Sequence, residues 1–304
     1  MAILACAALL AAGSTPANQE TAASPRAVPL TVLDRDGLPV SGLTSERVRA
    51  KFNGKAVRAA GLRESSTAPK VGIVLDLSAR RANAANPAVK DAVDAARLLV
   101  RGLGAKHSIT LVTAGESPQR IGPSPPGNDE VASYLNNVKP VESSRTALFD
   151  ATAEAIRALA PAGFADSLVV VTDGDDNASR LKSSDVEELA RKSGIRVFSI
   201  LLFSMPSGAG QAASLDRGQQ LLRSLAEESG GAAIAQKARS SEGSEIGGLL
   251  RPLFWQISVV YRLELELPGG ANAAGDLKLE ILDEQGRKLK AEQALYPRRL
   301  FRAK

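Results

Sequence analysis

The sequence predicts an α/β fold: a doubly wound, mostly parallel sheet inserted into a small β-sandwich-like domain that the N- and C-terminal segments build together. Three observations carry this. Apolar runs at 71–75, 109–113, 168–172 and 197–203 have the length and β-branched content of buried parallel strands, with amphipathic helical patterns between them. The flanking segments, 28–66 and 257–304, alternate apolar and polar residues and are broken by turn sequences such as DRDG and NG. Those two segments also share one pattern. Leu30, Val32, Leu33, Asp34, Gly37 and Val40 repeat at a constant offset as Leu279, Ile281, Leu282, Asp283, Gly286 and Leu289, each a strand running into an Asp-x-x-Gly turn.

Taken in chain order, residues 1–14, MAILACAALLAAGS, form an apolar run of signal-peptide length, too short to cross a bilayer as a helix. Ala11 and Gly13 supply small residues at the spacing a signal peptidase accepts, whereas the basic leader is missing, as expected of a truncated signal peptide. Cleavage is preferred to lipid attachment at Cys6, because leucine fits poorly at the second position of such a box. The mature chain is therefore expected to be exported, periplasmic or secreted, and no other apolar run is long enough for a transmembrane span. A polar linker, 15–27, leads to three or four short strands in 28–66. These bury too little to fold alone, and the strands of 257–304 are their expected partners.

The central block, 68–256, alternates strand and helix. Residues 87–103 open with Pro87 and carry Val89, Ala92, Val93, Ala96 and Leu99 on one face. Residues 146–160, 184–193, 215–229 and 243–256 read likewise as helices. The stretch ESPQRIGPSPPGNDE is a proline-rich loop with a short edge strand. Such alternation predicts helices on both faces of a doubly wound sheet.

Composition removes several function classes. Lys and Arg exceed Asp and Glu by 38 to 33, spread along the chain without aromatic interleaving, so nucleic acid is not an expected partner. One cysteine and one histidine exclude an intramolecular disulfide and a cysteine-rich zinc site, and any Ser-His-Asp triad would have to use His107.

The chemistry gathers at strand ends. Ligands of open α/β sheets bind beyond the carboxyl ends of strands, where strand order reverses, and two strands end in aspartate: GIVLD at Asp76 and LVVVTD at Asp173. Neighbouring carboxylates repel, so a cation is expected between them. Ser78 and Thr146 supply hydroxyls, and a hard cation such as Mg2+ suits that oxygen shell.

The order GIVLDLSAR, SRTALFDA, VVVTDGDDNAS resembles the von Willebrand factor type A domain with its metal-ion-dependent adhesion site, Asp-x-Ser-x-Ser, a later Thr and a later Asp-Gly. The flanks look like those of an exported bacterial, acidobacterial-type family of such proteins. The resemblance implies Asp76 and Ser78 at the first two motif positions, Thr146 at the threonine and Asp173 at the late aspartate, with Mg2+ or Mn2+ as the cation. Arg80 stands where the second serine belongs, and arginine has no lone pair to offer a metal. Either water fills the vacant coordination position of a weakened metal site, or the guanidinium folds over Asp76 and Asp173 in the metal's place. The metal-free arrangement is preferred.

Blander roles stand beside these. Asp76, Ser78 or Thr146 singly reads as a helix cap, Asp175 and Asp176 as a solvated turn, His107 as a partly exposed structural residue, and Trp255 and Tyr261 as packing at the domain seam. The leading function is a non-enzymatic protein-binding module for adhesion or assembly, whose partner meets the sheet's C-terminal face. There a partner acid completes the metal shell or pairs with Arg80. The competing readings are a metal-assisted phosphoester hydrolase using Asp76, disfavoured because Leu-Ser follows it, and a structural envelope-complex subunit with a dead site.

Overall fold

The computed structural model describes residues 24–78, 87–127, 129–138, 145–203, 209–237, 246–290 and 293–302. The signal-peptide reading of 1–14, Cys6 and Arg80 lie outside them.

The central domain is a six-stranded sheet. Its strands are β4 (Val71–Asp76), β5 (Ile109–Ala114), β6 (Gln119–Ser124), β7 (Ser167–Thr172), β8 (Arg196–Phe203) and β9 (Ala233–Lys237), in the order β6-β5-β4-β7-β8-β9. All pairs are parallel except β5 with β6, the edge strand expected in the proline-rich stretch. Successive residues of a central strand feed opposite cores, which is why these strands read as unbroken apolar runs. Ile73 and Leu75 of β4, with Val169 and Val171 of β7, face α1 (Pro87–Leu103), α2 (Glu130–Asn137) and α6 (Ile246–Ser258). Val74, Leu168 and Val170 face α3 (Leu148–Ala158), α4 (Ser183–Ser193) and α5 (Ala209–Ser229). The α1 face from Val89 to Leu99 is buried as its spacing predicts.

The terminal segments build one antiparallel sheet from β1 (Arg26–Val32), β2 (Val48–Phe52), β3 (Lys55–Glu64), β10 (Tyr261–Glu266), β11 (Gly275–Ile281), β12 (Ala294–Leu295) and β13 (Arg299–Leu300). The order is β12-β1-β10-β3-β2-β11-β13. Its first and last strands are separated by only Tyr296 to Arg298, and the four Cα steps from Leu295 to Arg299 reach at most about 14 Å. The sheet must therefore curl until its two edges nearly meet. Its halves enclose a core of Val28, Leu30, Phe52, Leu263, Leu279 and Tyr296, so the sandwich-like packing comes from a single curled sheet. β1 begins at Arg26, inside the segment read as linker.

The sequence repeat is a structural repeat. Asp34 Oδ1 accepts from the N–H groups of Asp36 and Leu38, both at 2.9 Å, and Asp283 Oδ1 from those of Gln285 and Arg287 at 3.0 and 2.8 Å. Gly37 and Gly286 both take φ +75°, a conformation that a side chain strains.

Buried polar groups join the two domains. Arg196, fully buried at the start of β8, donates to the carbonyls of Gly230 (3.1 Å) and Gln256 (2.9 Å) and to Thr31 Oγ1 (3.3 Å) on β1. Burial pushes its guanidinium down to about 9, so it remains a cation at neutral pH. His107 is buried rather than partly exposed: its ring meets the Pro69 carbonyl at 2.8 Å and Ser258 Oγ at 3.2 Å, next to both crossings between the domains. Tyr261 is buried, its hydroxyl donating to the Val40 carbonyl, but Trp255 is an exposed side chain and does not seal the seam.

Candidate functional site

The strand order reverses about β4, which has β5 on one side and β7 on the other, and the expected carboxylates sit at that switch. Parallel register aligns Leu75 with Val171, which brings Asp76 beside Thr172 on the same face. Asp76 is buried. Its Oδ1 accepts from the backbone N–H and the hydroxyl of Ser78, at 3.0 and 2.7 Å, and its Oδ2 accepts from Thr172 Oγ1 at 2.8 Å. Thr172 Oγ1 in turn accepts from the Gly174 N–H at 3.0 Å, fixing the turn that carries Asp173. Asp173 Oδ1 accepts from the Asp175 N–H at 3.0 Å, and Gln219 of α5 holds the Asp173 carbonyl at 2.9 Å. Asp76, Ser78, Thr172 and Asp173 line a cavity of about 20 Å³, closed below by Leu202, with room for about one water-sized sphere.

Electrostatics mark this pair. Burial, and then the charge of Asp173, push the Asp76 carboxyl up from its ordinary 3.8 to about 7, against the lowering effect of the Ser78 and Thr172 hydrogen bonds.

Thr146 sits one residue ahead of Ala147, the residue before α3, and makes no side-chain cap. Its N–H donates to Asn177 Oδ1 at 2.8 Å, and its carbonyl accepts from the N–H groups of Asn177 and Ala178. Its Oγ1 is buried with no hydrogen-bond partner. It lies beside the loop after β7 but does not line the small cavity, so the structure gathers Asp76, Ser78 and Asp173 there and leaves Thr146 adjacent.

The acidic residues after Asp173 are not a solvated turn. Asp175 is buried, and Asp176 Oδ1 accepts from the Phe149 N–H at 3.2 Å in the first turn of α3 and from the Ser179 hydroxyl. Asp150 of α3 reciprocates by accepting from the N–H groups of Arg180 and Leu181, both at 3.0 Å. These bonds tie the loop after β7 to α3, leaving the Asp173 turn between two fixed ends.

Residues 70–234, more than half of the chain, match the family model described as von Willebrand factor type A domain. The chain belongs to that family. Solved structures similar to it include a von Willebrand factor type A protein from Catenulispora acidiphila, 12% identical, covering 94% of this chain and 76% of that one, with a TM-score of 0.48. BatB from Bacteroides thetaiotaomicron is 17% identical, covers 62% and 98%, and has a TM-score of 0.42. An aerotolerance-related membrane protein from Bacteroides fragilis gives 17%, 62%, 98% and 0.47. No curated protein matches the sequence. No helix among the described residues is long and apolar enough to cross a membrane.

In this von Willebrand A domain the donor set fits a small hard cation in kind. Two carboxylates face each other, the Ser78 hydroxyl is already oriented by Asp76, and the Thr146 hydroxyl is buried with no partner. Among the described residues no group of three or more His, Cys, Asp or Glu side chains is set to hold a metal. A cation at this site would therefore rely on hydroxyls and water for the rest of its shell.

Sequence reasoning missed Thr172 and Gln219. Thr172 was signalled only by its place before the strand-end aspartate, and its bond to Asp76 follows from strand register. Nothing local marks Gln219, whose partner lies two elements away.

Proposed function

We propose that this von Willebrand A protein is an exported, non-enzymatic binding module that holds a protein partner at the C-terminal edge of its parallel sheet, around Asp76, Ser78, Thr146 and Asp173. The observation that carries the reading is the buried Asp76 carboxyl beside Asp173, a pair that asks for positive charge at the surface of the switch point. Mg2+ or Mn2+, where bound, supplies that charge and an open coordination position for a partner's carboxylate. Asp76, Ser78 and Asp173 would hold it, with Thr146 behind them. Arg80, in place of the second serine, makes the site a degenerate one: its guanidinium competes with a cation and offers a partner acid a fork of hydrogen bonds.

A pull-down with the full chain from an envelope extract of the source organism tests this. Asp173→Ala should weaken partner retention, by about 1 to 3 kcal/mol for a charged hydrogen bond left unmade. Equal retention by Asp173→Ala moves the interface elsewhere. Hydrolysis of phosphoester substrates with Mg2+ that disappears in Asp76→Ala would establish an enzyme instead.

A further inference from the structure

A larger hollow lies away from this site, in the seam between the two domains. It measures about 710 Å³, within the roughly 300 to 1,000 Å³ of small-molecule sites. Residues 160–165 after α3 and the C-terminal end of α4 form one wall. The start of β1, Arg262 of β10 and residues 297–302 form the other. Its surface combines apolar groups, among them Pro161, Phe164, Pro297 and Phe301, with an excess of cations. Arg26, Arg191, Lys192, Arg262, Arg299 and Arg302 line it, against the single lining carboxylate of Glu228, while Glu264 and Asp276 outside the lining lie 3.6 Å from Arg262 and 3.7 Å from Arg299.

That carboxylate is already used, since Arg191 holds it through Nε at 2.8 Å and Nη2 at 3.1 Å. Arg26 commits Nη1 to the carbonyls of Ala271 and Ala273 and Nη2 to that of Phe301, neutral acceptors that leave its charge uncompensated. Arg302 has no acidic partner among the described residues. Arg262 is the most telling. Its guanidinium lies 4.7 Å over the Phe164 ring, and its Nε is buried without a hydrogen-bond partner, the closest carboxylate being Glu264 at 3.6 Å. Strand register sets it directly opposite Arg63 of β3, a like-charge pair that Glu264, a single carboxylate, offsets only in part.

We propose that the seam cleft binds a small amphiphilic carboxylate, with its anionic head on Arg262 and its apolar body along Phe164 and Phe301. A bare inorganic anion would leave Phe164 and Phe301 uncovered, and an uncharged apolar ligand would leave Arg26 and Arg302, which have no acidic partner among the described residues, without a counter-charge. The proposal is independent of the strand-end site, because Asp76 and Asp173 do not line the cleft.

Titration calorimetry of the full chain with dodecanoate tests it, with dodecanol, acetate and an acidic peptide as comparison titrants. Dodecanoate should bind, and dodecanol and acetate should bind at least tenfold more weakly. Arg262→Gln should weaken dodecanoate binding about tenfold or more, the loss of one charge-assisted hydrogen bond. Arg299→Gln, at a side chain 60% exposed and so tolerant of substitution, should weaken it several-fold. Arg49→Gln, on β2 outside the cleft, should leave it unchanged. No binding by the wild-type chain, equal binding of dodecanol, or equal losses in Arg49→Gln would overturn the proposal. So would wild-type affinity in both cleft variants, or binding of the acidic peptide without dodecanoate.

Discussion

Replacing Asp76 by asparagine should stabilise the protein in chelator by an amount that grows as pH rises from about 4 to about 7 and is constant above that. Burial and the charge of Asp173 raise the Asp76 carboxyl to about 7 from 3.8, which corresponds to about 4 kcal/mol against the charged form. Between those values the folded chain binds a proton that the unfolded chain has released. The group's contribution to stability is therefore full below about pH 4 and is lost as pH rises through about 7. Asparagine never carries the charge. It keeps an oxygen toward Ser78 but turns an amide toward the Thr172 hydroxyl, at a cost of about 1 kcal/mol for one hydrogen bond. The net gain at pH 8 is about 3 kcal/mol, or about 6 to 12 °C in the melting temperature of a domain of this size. At pH 4 the variant should be no more stable than the wild type. Scanning calorimetry in EDTA at the two pH values reads this directly. A difference independent of pH, or a less stable variant at pH 8, would refute the reasoning. The second outcome would mean that the pair is already compensated, as by a guanidinium from Arg80.

The remaining predictions concern other links of the chain. Arg80→Ser should raise Mg2+ affinity by calorimetry, since a hydroxyl returns and a competing charge leaves; weaker binding in the variant would reverse the role given to Arg80. Removing residues 260–304 deletes β10, which separates β1 from β3, so limited proteolysis should find 28–64 unprotected while 71–203 stays resistant. Gly37→Ala and Gly286→Ala should each lower stability by about 1 kcal/mol, because both need φ +75°, and urea melts giving clearly unequal losses would deny that the turns are equivalent. Gly218→Ala should weaken partner retention about as much as Asp173→Ala while leaving dodecanoate binding in place.

The two-domain plan was legible because its signals are local and periodic: strands covered on both faces read as apolar runs, and the repeated Asp-x-x-Gly turn marks both ends of one sheet. Elements that escaped reading are short or weakly patterned. α2 buries only Val131 and Leu135, and β9 is five residues of mixed polarity. At the site, Asp76 and Asp173 were legible as strand ends, whereas Thr172 became visible only through register. His107 and Arg196 could not be read as pins. Their partners are backbone carbonyls and hydroxyls from distant segments, and a carbonyl leaves no mark in a sequence.

Helix α5 links the two binding regions and gives a reason why Gly218→Ala should separate them. Near its middle, Gly218 lies so close to the Gly174 carbonyl that an added methyl would overlap it, and Gln219 holds the Asp173 carbonyl. Ten residues further, about 15 Å along the axis, Glu228 faces the seam cleft and pairs with Arg191. One of the two bodies in contact at Gly218 must yield. The helix is fixed by Leu221, Leu222, Leu225 and Ala226, all buried, whereas Gly174 lies in a turn at φ +96° held to the strand by its hydrogen bond to Thr172. Overpacking of this kind costs about 1 to 3 kcal/mol, comparable to the few hydrogen bonds that fix the turn and well below the burial of four apolar side chains on one helix. The turn therefore gives way and carries Asp173 with it, while Glu228 and the cleft wall stay in place. Loss of dodecanoate binding along with partner retention would show instead that the helix moves as a strut between the two regions.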